Sequence, residues 1–441
     1  MPVEWAQTMD KLASAYDRRI IGDRAENIEK AIDIYQQALS VRTEENMPID
    51  WAHSMSNLSI AYGKRIRGDR AENIEKAIDI CIRTLAIIKK ESMPIDWART
   101  MMNLAIAYDK RIRGDIQENV ERAISAYEQS LTVITETIPV SWAQAMHNLA
   151  TAYNNRVLGD RAENIEQAID IYKQVLSVRT RDAMPIEWAQ TMNNLAIAYD
   201  TRIRGSKRGN IKQAIDINEQ VLSIRTKAAM PIEWATTMSN LASSLKNQIG
   251  DNRIKGVKKA IASYRQALTV FDPELLPGSC RSSGYHLANL YSETKDWLKA
   301  VEAYQRALRA AENLYQSSNL LDSRALILLE TADLPRRAAY AYARNGNFFQ
   351  AIETIEQGRA RGLSEVLDRD RVDLIKLQKT KPHLYSQYIA TVFQLRNSEQ
   401  QQRERAISGE NNNITPEILR ETAITLRQQL NALIKDIRKV P

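Results

Sequence analysis

Apolar residues recur along this chain with two nested periods. In residues 47–92 the inner period is helical: Trp51, Met55, Leu58 and Tyr62 are spaced 4, 3 and 4, one stripe of an α-helix. Ile74, Ala77, Ile78, Leu85 and Ile88 form the inner face of a second helix. Pro48 opens the first helix, where a missing N–H removes no bond, and Asp50 follows in the turn where a carboxylate suits the helix dipole. Gly68 is placed to end that helix in a left-handed conformation, and Asp69 with Glu72 three residues on is placed to cap the next. The unit is two antiparallel helices of roughly 20 residues each, joined by a tight turn.

The outer period is marked by Trp5, Trp51, Trp97, Trp142, Trp188 and Trp234, at spacings of 46, 46, 45, 46 and 46. Self-similarity at this period predicts a solenoid, whose units bury their apolar faces only against their neighbours. The small and aromatic positions resemble the tetratricopeptide repeat (TPR): Leu12, Ala13, Tyr16, Ala31, Tyr35 and Ala38 in the first unit, and Leu195, Ala196, Tyr199 and Ala214 in the fifth. The ordinary repeat of that family is about 34 residues long, so these hairpins have longer helices. The resemblance implies an all-α right-handed superhelix of antiparallel hairpins. The sixth unit decays, with Leu245 for the tyrosine and Gly250 one place early. From Pro277-Gly278 the spacing shortens: Leu287, Ala288, Tyr291, Ala300, Tyr304 and Ala307, then Ala338, Ala339, Tyr342, Gly346, Ala351 and Gly358. Residues 309–335 between these two ordinary repeats read as a long helix plus a connection. The expected organisation is six long repeats in 1–276, two ordinary repeats in 277–358 and a helical linker in 359–441.

In that linker, Leu419, Leu426 and Leu433 stand seven apart with Ala423, Leu430 and Ile437 between them, a short heptad seam. Its simplest partner is the preceding helix, through Tyr388, Val392 and Leu395, in an antiparallel hairpin. An alternative is self-association of a free-standing adaptor through the same seam.

Composition narrows the function. The chain has 61 basic and 54 acidic residues, net +7, with the signs interspersed. An acidic partner is permitted and nucleic acid is not demanded. The repeated corner arginines Arg65, Arg67, Arg111, Arg113, Arg202 and Arg204 offer a nucleic-acid reading, but few exposed aromatics accompany them. Their plainer role is a solvated corner pairing with nearby carboxylates. Two cysteines, Cys81 and Cys280, are too few for a disulfide framework or zinc site, and a reducing cytoplasm is expected. Met1 opens directly into the first repeat, so no leader is expected, and no apolar run of about 18 residues predicts a membrane span.

Catalytic chemistry is not expected. His53, His147, His286 and His383 lie in no nucleophile–base motif, and there is no phosphate-binding glycine loop or metal-ligand spacing. Cys81 occupies a helix position held by Tyr35 and Tyr172 elsewhere and reads as a buried thiol. Cys280 reads as a loop residue open to solvent. The Arg-Gly-Asp tripeptides at 67–69 and 113–115 are explained by helix ending and capping, and the tryptophans by packing between repeats. The sharpest polar signal is the row Asn57, Asn103, Asn148, Asn194 and Asn240, one residue before the conserved-phase leucine, with Lys11 in the first unit. Asparagine inside a helix costs up to ~0.7 kcal/mol against alanine, so five cost roughly 3 kcal/mol. By the TPR resemblance the row faces the concave groove, where amides can pair with the backbone of an extended peptide. The same amides can instead bond the neighbouring repeat. Gln7, His53, Arg99, Gln144 and Gln190 share the groove phase, with Ile60, Ile106 and Ile197 further along it.

The junction Ala351-Ile352-Glu353-Thr354-Ile355-Glu356-Gln357-Gly358-Arg359-Ala360-Arg361-Gly362-Leu363-Ser364-Glu365-Val366-Leu367 resembles the segment that joins TPR arrays to CHAT domains, caspase-like cysteine peptidase modules, in bacterial and especially cyanobacterial proteins. In that family a helical linker ending near a proline, as at Lys439-Val440-Pro441, precedes the peptidase. The resemblance implies that this chain is a non-catalytic regulatory or sensor arm, with a protein or extended peptide as partner and a CHAT effector beyond Pro441. No peptidase histidine or cysteine of that family maps onto these residues, and no cofactor or metal is implied.

Overall fold

The computed structural model describes residues 2–317 apart from Ile20, residues 327–359, 377 and 381–408, and scattered positions between 422 and 437. The chain divides into two compact units, 1–347 and 348–441. In the first, six hairpins follow the tryptophan beat: α1 (Pro2–Arg18) with α2 (Arg24–Leu39), α3 (Pro48–Lys64) with α4 (Arg70–Ile87), and α5 (Pro94–Asp109) with α6 (Ile116–Leu131). Then come α7 (Pro139–Asn155) with α8 (Arg161–Val178), α9 (Pro185–Thr201) with α10 (Lys207–Leu222), and α11 (Pro231–Lys246) with α12 (Arg253–Ala267). The helices run 15–18 residues, shorter than the spacing suggested, because a looped turn occupies each joint. A seventh hairpin pairs α13 (Pro277–Glu293) with α14 (Trp297–Ser317), and α15 (Leu334–Arg344) packs on α14.

Each helix packs on its partner and on the next unit, and the odd-numbered helices also touch one another directly. The array is therefore an α-solenoid of stacked hairpins, with a layer of A helices (odd-numbered through α13) and a layer of B helices. The expected stripe residues are its core: Trp51, Met55, Leu58 and Tyr62 are buried, as are Ile74, Ala77, Ile78, Cys81 and Ile88. Helix A of the seventh unit keeps the beat, with Pro277 opening it and Cys280 standing 46 residues after Trp234. Cys280 is thus a fully buried helical residue and not an open loop thiol. It replaces a tryptophan, and Arg306 fills the space, its Nε 3.4 Å from the sulfur.

The turns explain why the sequence repeats so closely there. Gly22, Gly68, Gly114, Gly159 and Gly205 all have φ between +76° and +88°, a region that favours glycine. The next residue caps helix B, as Asp69 does by accepting from the N–H of Glu72 at 3.1 Å. A buried asparagine four residues further ties the loop down: Asn27, Asn73, Asn119, Asn164 and Asn210 each donate to a turn carbonyl at 2.8–3.0 Å. In the sixth unit this residue is Gly256, where a Cβ would lie 2.5 Å from the carbonyl oxygen of Leu245. The shortened turn, with Gly250 one place early, accordingly folds tightly onto the end of α11.

The corner arginines do pair with carboxylates: Arg65, Arg111 and Arg202, with Arg156 in the fourth unit, are partly buried inter-repeat struts, whereas Arg67 and Arg204 stay exposed, Arg204 pairing with Glu163. Arg65 grips Glu29, Arg111 grips Glu75, Arg156 grips Glu121 and Arg202 grips Glu166, each through Nε and Nη2 at 2.7–2.9 Å. The guanidinium also lies 5.7–5.9 Å from the ring of the tyrosine three residues earlier. Each rung joins helix B of one unit to the corner of the next. The fifth rung is missing from both sides, with Lys212 and Gln248 at the two positions.

In the second unit, α16 (Phe348–Arg359) and α17 (Pro382–Ser408) are helical. A buried cluster joins Tyr388, Val392 and Leu395 of α17 to Leu377, Leu426, Leu430 and Ile437. The expected pairing of the last seam with α17 is present, carried by Leu426, Leu430 and Ile437. Leu433 is only half-buried. Leu419, Ala423 and residues 360–367 of the junction lie outside the described residues.

The strut geometry predicts that Lys212→Glu together with Gln248→Arg writes a fifth rung. The double variant is expected to gain about 0.5–1 kcal/mol in denaturant unfolding, more than the sum of the two single changes. A double variant no better than that sum means the rung has not formed.

Candidate functional site

Every helix A buries two flanks against its neighbours and leaves one stripe towards solvent. That stripe carries the expected groove residues. Gln7, Arg99 and Gln190 are exposed, His53 and Gln144 are half-buried, and Ile60, Ile106 and Ile197 are half-buried further along. His53 Nε2 lies 3.3 Å from an Asp96 carboxylate oxygen, and Arg99 is paired with the same carboxylate.

The asparagine row lies at the seam between successive A helices. Asn57 Nδ2 reaches Asp10 Oδ2 at 3.5 Å, Asn103 Nδ2 reaches Ser56 Oγ at 3.3 Å, and Asn240 Nδ2 reaches Asn193 Oδ1 at 3.0 Å. Asn194 Nδ2 meets His147 Nε2 and Thr151 Oγ1, both at 3.3 Å. Asn148 is the exception because the residue it would meet in the preceding repeat is Met102, a poor acceptor. Its oxygen instead accepts from Gln144 Nε2 at 3.1 Å. The amide nitrogens of the other four are thus occupied by the preceding repeat. Their amide oxygens have no hydrogen-bond partner among the described residues.

A second set of residues in this seam carried no signal in a linear reading of the sequence. Arg42, Arg179 and Arg225 follow helix B and insert between two A helices, at 5%, 1% and 7% exposure. Each donates through Nη1 to a hydroxyl of the next repeat: Ser54 Oγ at 2.9 Å, Thr191 Oγ1 at 3.2 Å and Thr237 Oγ1 at 3.1 Å. Arg179 Nη2 also donates to Gln144 Oε1 at 2.7 Å. Units two, three and six carry Ile88, Ile134 and Phe271 at this position, all buried. Aligning the units exposes the signal: glutamine at the Gln144 position (Gln7, Gln144, Gln190) occurs in the three units that carry the arginine. The others have His53, Arg99 and Thr236.

Between units four and five the polar groups join into one network. Thr191 Oγ1 donates to the carbonyl of Glu187 at 2.9 Å and lies 3.2 Å from His147 Nδ1. With Asn194 donating to Nε2, the consistent tautomer carries its proton on Nδ1 and gives it to Thr191. Burial, together with the nearby Arg179 charge, holds His147 down to about 3. Burial pushes the Tyr172 hydroxyl, which pairs with Thr151, up to about 12. Among the described residues no cluster of His, Cys, Asp or Glu is arranged to hold a metal ion. Burial pushes the Cys81 thiol up to about 11 and raises Cys280 as well, the opposite of an activated nucleophile. No described helix is long and apolar enough to cross a membrane.

The tetratricopeptide repeat family model matches residues 51–86 and 142–182, and a second tetratricopeptide repeat model matches 285–314. These fall in the second, fourth and seventh hairpins. No curated protein matches the chain. Among solved structures the chain is similar to BtubC (BKLC) from P. vanneervenii, with 18% identity and a TM-score of 0.42 over 59% of this chain and 92% of that one. It is similar to the apo form of RapI, with 15% identity and a TM-score of 0.46 over 70% and 98%. It is also similar to a Rap protein complexed with Competence and Sporulation Factor, with 14% identity and a TM-score of 0.49 over 82% and 98%. The first compact unit is a TPR-like α-solenoid in which tetratricopeptide repeats are recognised in three hairpins.

The buried neutral histidine sets a pH dependence. The unfolded chain takes up a proton on His147 near 6.5, while the folded chain resists it until about 3, so stability falls as pH drops through that window. His286, held to about 4 by burial and Lys246, acts in the same direction. His147→Asn, the residue found one repeat on at Asn193, is expected to flatten the loss. Denaturation midpoints from pH 7 to pH 4 check this, and an unchanged slope refutes the assignment.

Proposed function

We propose that the stripe of the A helices binds an extended segment of a partner protein, and that the chain acts as a non-catalytic scaffold. The observation that carries this reading is the asparagine row. Four side chains are held through their nitrogens, and their unbonded amide oxygens recur in units two, three, five and six, beside the half-buried Ile60, Ile106 and Ile197 in units two, three and five. A fixed row of acceptors beside apolar spots suits the backbone N–H groups and side chains of an extended peptide. Holding the amides in place before binding reduces the entropy lost on association.

In this reading the chain is the regulatory arm of a CHAT-type caspase-like protease, a role supported by the junction that begins at Ala351 and by the array preceding it. The partner occupies the A-helix stripe, and the event is passed on through the helical linker. Reading the source gene in frame past codon 441 checks this: a β-rich domain with spaced His and Cys supports the arm, and a stop codon removes the protease link.

Binding itself is tested by cross-linking from the exposed position 190 of the stripe in source-cell lysate. Replacing Ile60, Ile106 and Ile197 with glutamate is expected to keep the helical circular-dichroism signal and to lower capture of the cross-linked partner about tenfold. The exposed helix-B change Lys173→Glu leaves capture unaltered. Equal capture by both variants would falsify the A-helix assignment.

A further inference from the structure

The buried arginines between the fourth, fifth and sixth units bear a charge that no direct ion pair among the described residues neutralises, with Glu187 and Glu233 acting on them only at longer range. Arg179 is 1% exposed and Arg225 is 7% exposed. Arg179 contacts only neutral acceptors, Thr191 Oγ1 and Gln144 Oε1, and Arg225 donates to Thr237 Oγ1. Neither has a carboxylate within ion-pair distance among the described residues, whereas Arg42 has Asp10 at 3.9 Å and the corner arginines have their glutamates. The Nε of both Arg179 and Arg225 is buried without a partner.

An uncompensated buried charge is strongly destabilising. Packing does not require it, since Ile88, Ile134 and Phe271 fill the same position with apolar side chains. The sites also lie directly beneath the A-helix stripe. Gln144 sits half-buried over Arg179 and takes its outward nitrogen. Gln190 occupies the equivalent position in the fifth repeat and is exposed, and Arg225, bonded through Nη1 to Thr237, has no Nη2 partner among the described residues. Glutamine here is a neutral, movable cover. A carboxylate that displaces it gains a charge-assisted bond stronger than the amide's.

We propose that Arg179 and Arg225 are two carboxylate-binding points in the floor of the A-helix stripe, and that the extended segment bound there carries two acidic side chains. This rests on the peptide-binding reading above and specifies its ligand. Neighbouring helices pack about 8–10 Å apart, and three residues of chain extended in the polyproline II manner span about 9 Å and return the side chain to the same face, so the acidic residues stand three apart.

The test uses the full chain and two fluorescein-labelled peptides with a Thr-Val-Xaa repeat, in which Xaa is glutamate in one and glutamine in the other. The glutamate peptide is expected to bind about tenfold tighter or more. That preference disappears in the double variant Arg179→Ile, Arg225→Ile, which imitates units two and three and is expected to unfold at equal or higher denaturant concentration than the parent. Equal binding of the two peptides overturns the carboxylate points and leaves the peptide-binding face standing. No binding of either at millimolar concentration overturns both. A preference that survives in the double variant, or a double variant that melts well below the parent, assigns the arginines to another role and overturns the proposal.

Discussion

The seam between successive A helices is the constraint on which the rest of this structure depends. A single hairpin cannot enclose its own apolar face, so stability is set by each hairpin and its neighbours. Trp51, Met55 and Leu58 are buried because the units before and after close over them. At the corner the same dependence is electrostatic: Arg65 is useful only because the preceding helix B presents Glu29 at the correct height. The pair is partly buried, bidentate and stacked on Tyr62. It therefore fixes the rotation of one unit on the next more firmly than an exposed ion pair would.

The seams are of two kinds. Where Ile88, Ile134 or Phe271 enters, the seam is apolar and its specificity comes from packing. Where Arg42, Arg179 or Arg225 enters, the seam is polar and is organised by hydroxyls on the next repeat. The residue before the asparagine row follows the same division. Asp10, His147 and Asn193 accompany the arginines, while Ser56, Met102 and Ser239 accompany the apolar seams. Polar seams are the less favourable solution for stability alone. Two of the three are consecutive, joining units four, five and six, which localises the departure from simple packing to one part of the array.

The one-dimensional pattern was informative about whatever depends on near neighbours in sequence. Helix starts at Pro48 and its equivalents, the left-handed glycines and the Asp69 cap follow from local chemistry. The seam residues are harder to read because their partners lie in the next or preceding repeat, 12–47 residues away. A lone arginine after a helix looks like a solvated C-terminal charge, and only its neighbours in space show that Arg179 is enclosed. Gln144 illustrates the limit: its phase correctly put it on the A-helix stripe, but its amide serves the arginine beneath it and Asn148 beside it. Cys280 was misread because the change after Pro277 suggested a loop, although it falls on the tryptophan beat and is buried.

These features bear on what the A-helix face can recognise. In the proposed binding mode the four asparagines whose nitrogens are consumed internally offer a peptide only acceptors, so along their row it is read through its N–H groups and side chains. Asn103 and Asn240 offer oxygens, and the half-buried isoleucines offer apolar spots. Neither distinguishes one extended segment from another strongly, because every peptide presents N–H groups. Discrimination must come from elements that are not repeated in every unit. The enclosed arginines are such elements: they occur in some seams and not others, and they sit beneath the face. Arg179 and Arg225 have only neutral hydrogen-bond partners, and Nε of each is buried without one. If a segment binds as proposed, the repeated scaffold has a preferred register for it, since sliding the segment by one repeat exchanges an arginine seam for an apolar one.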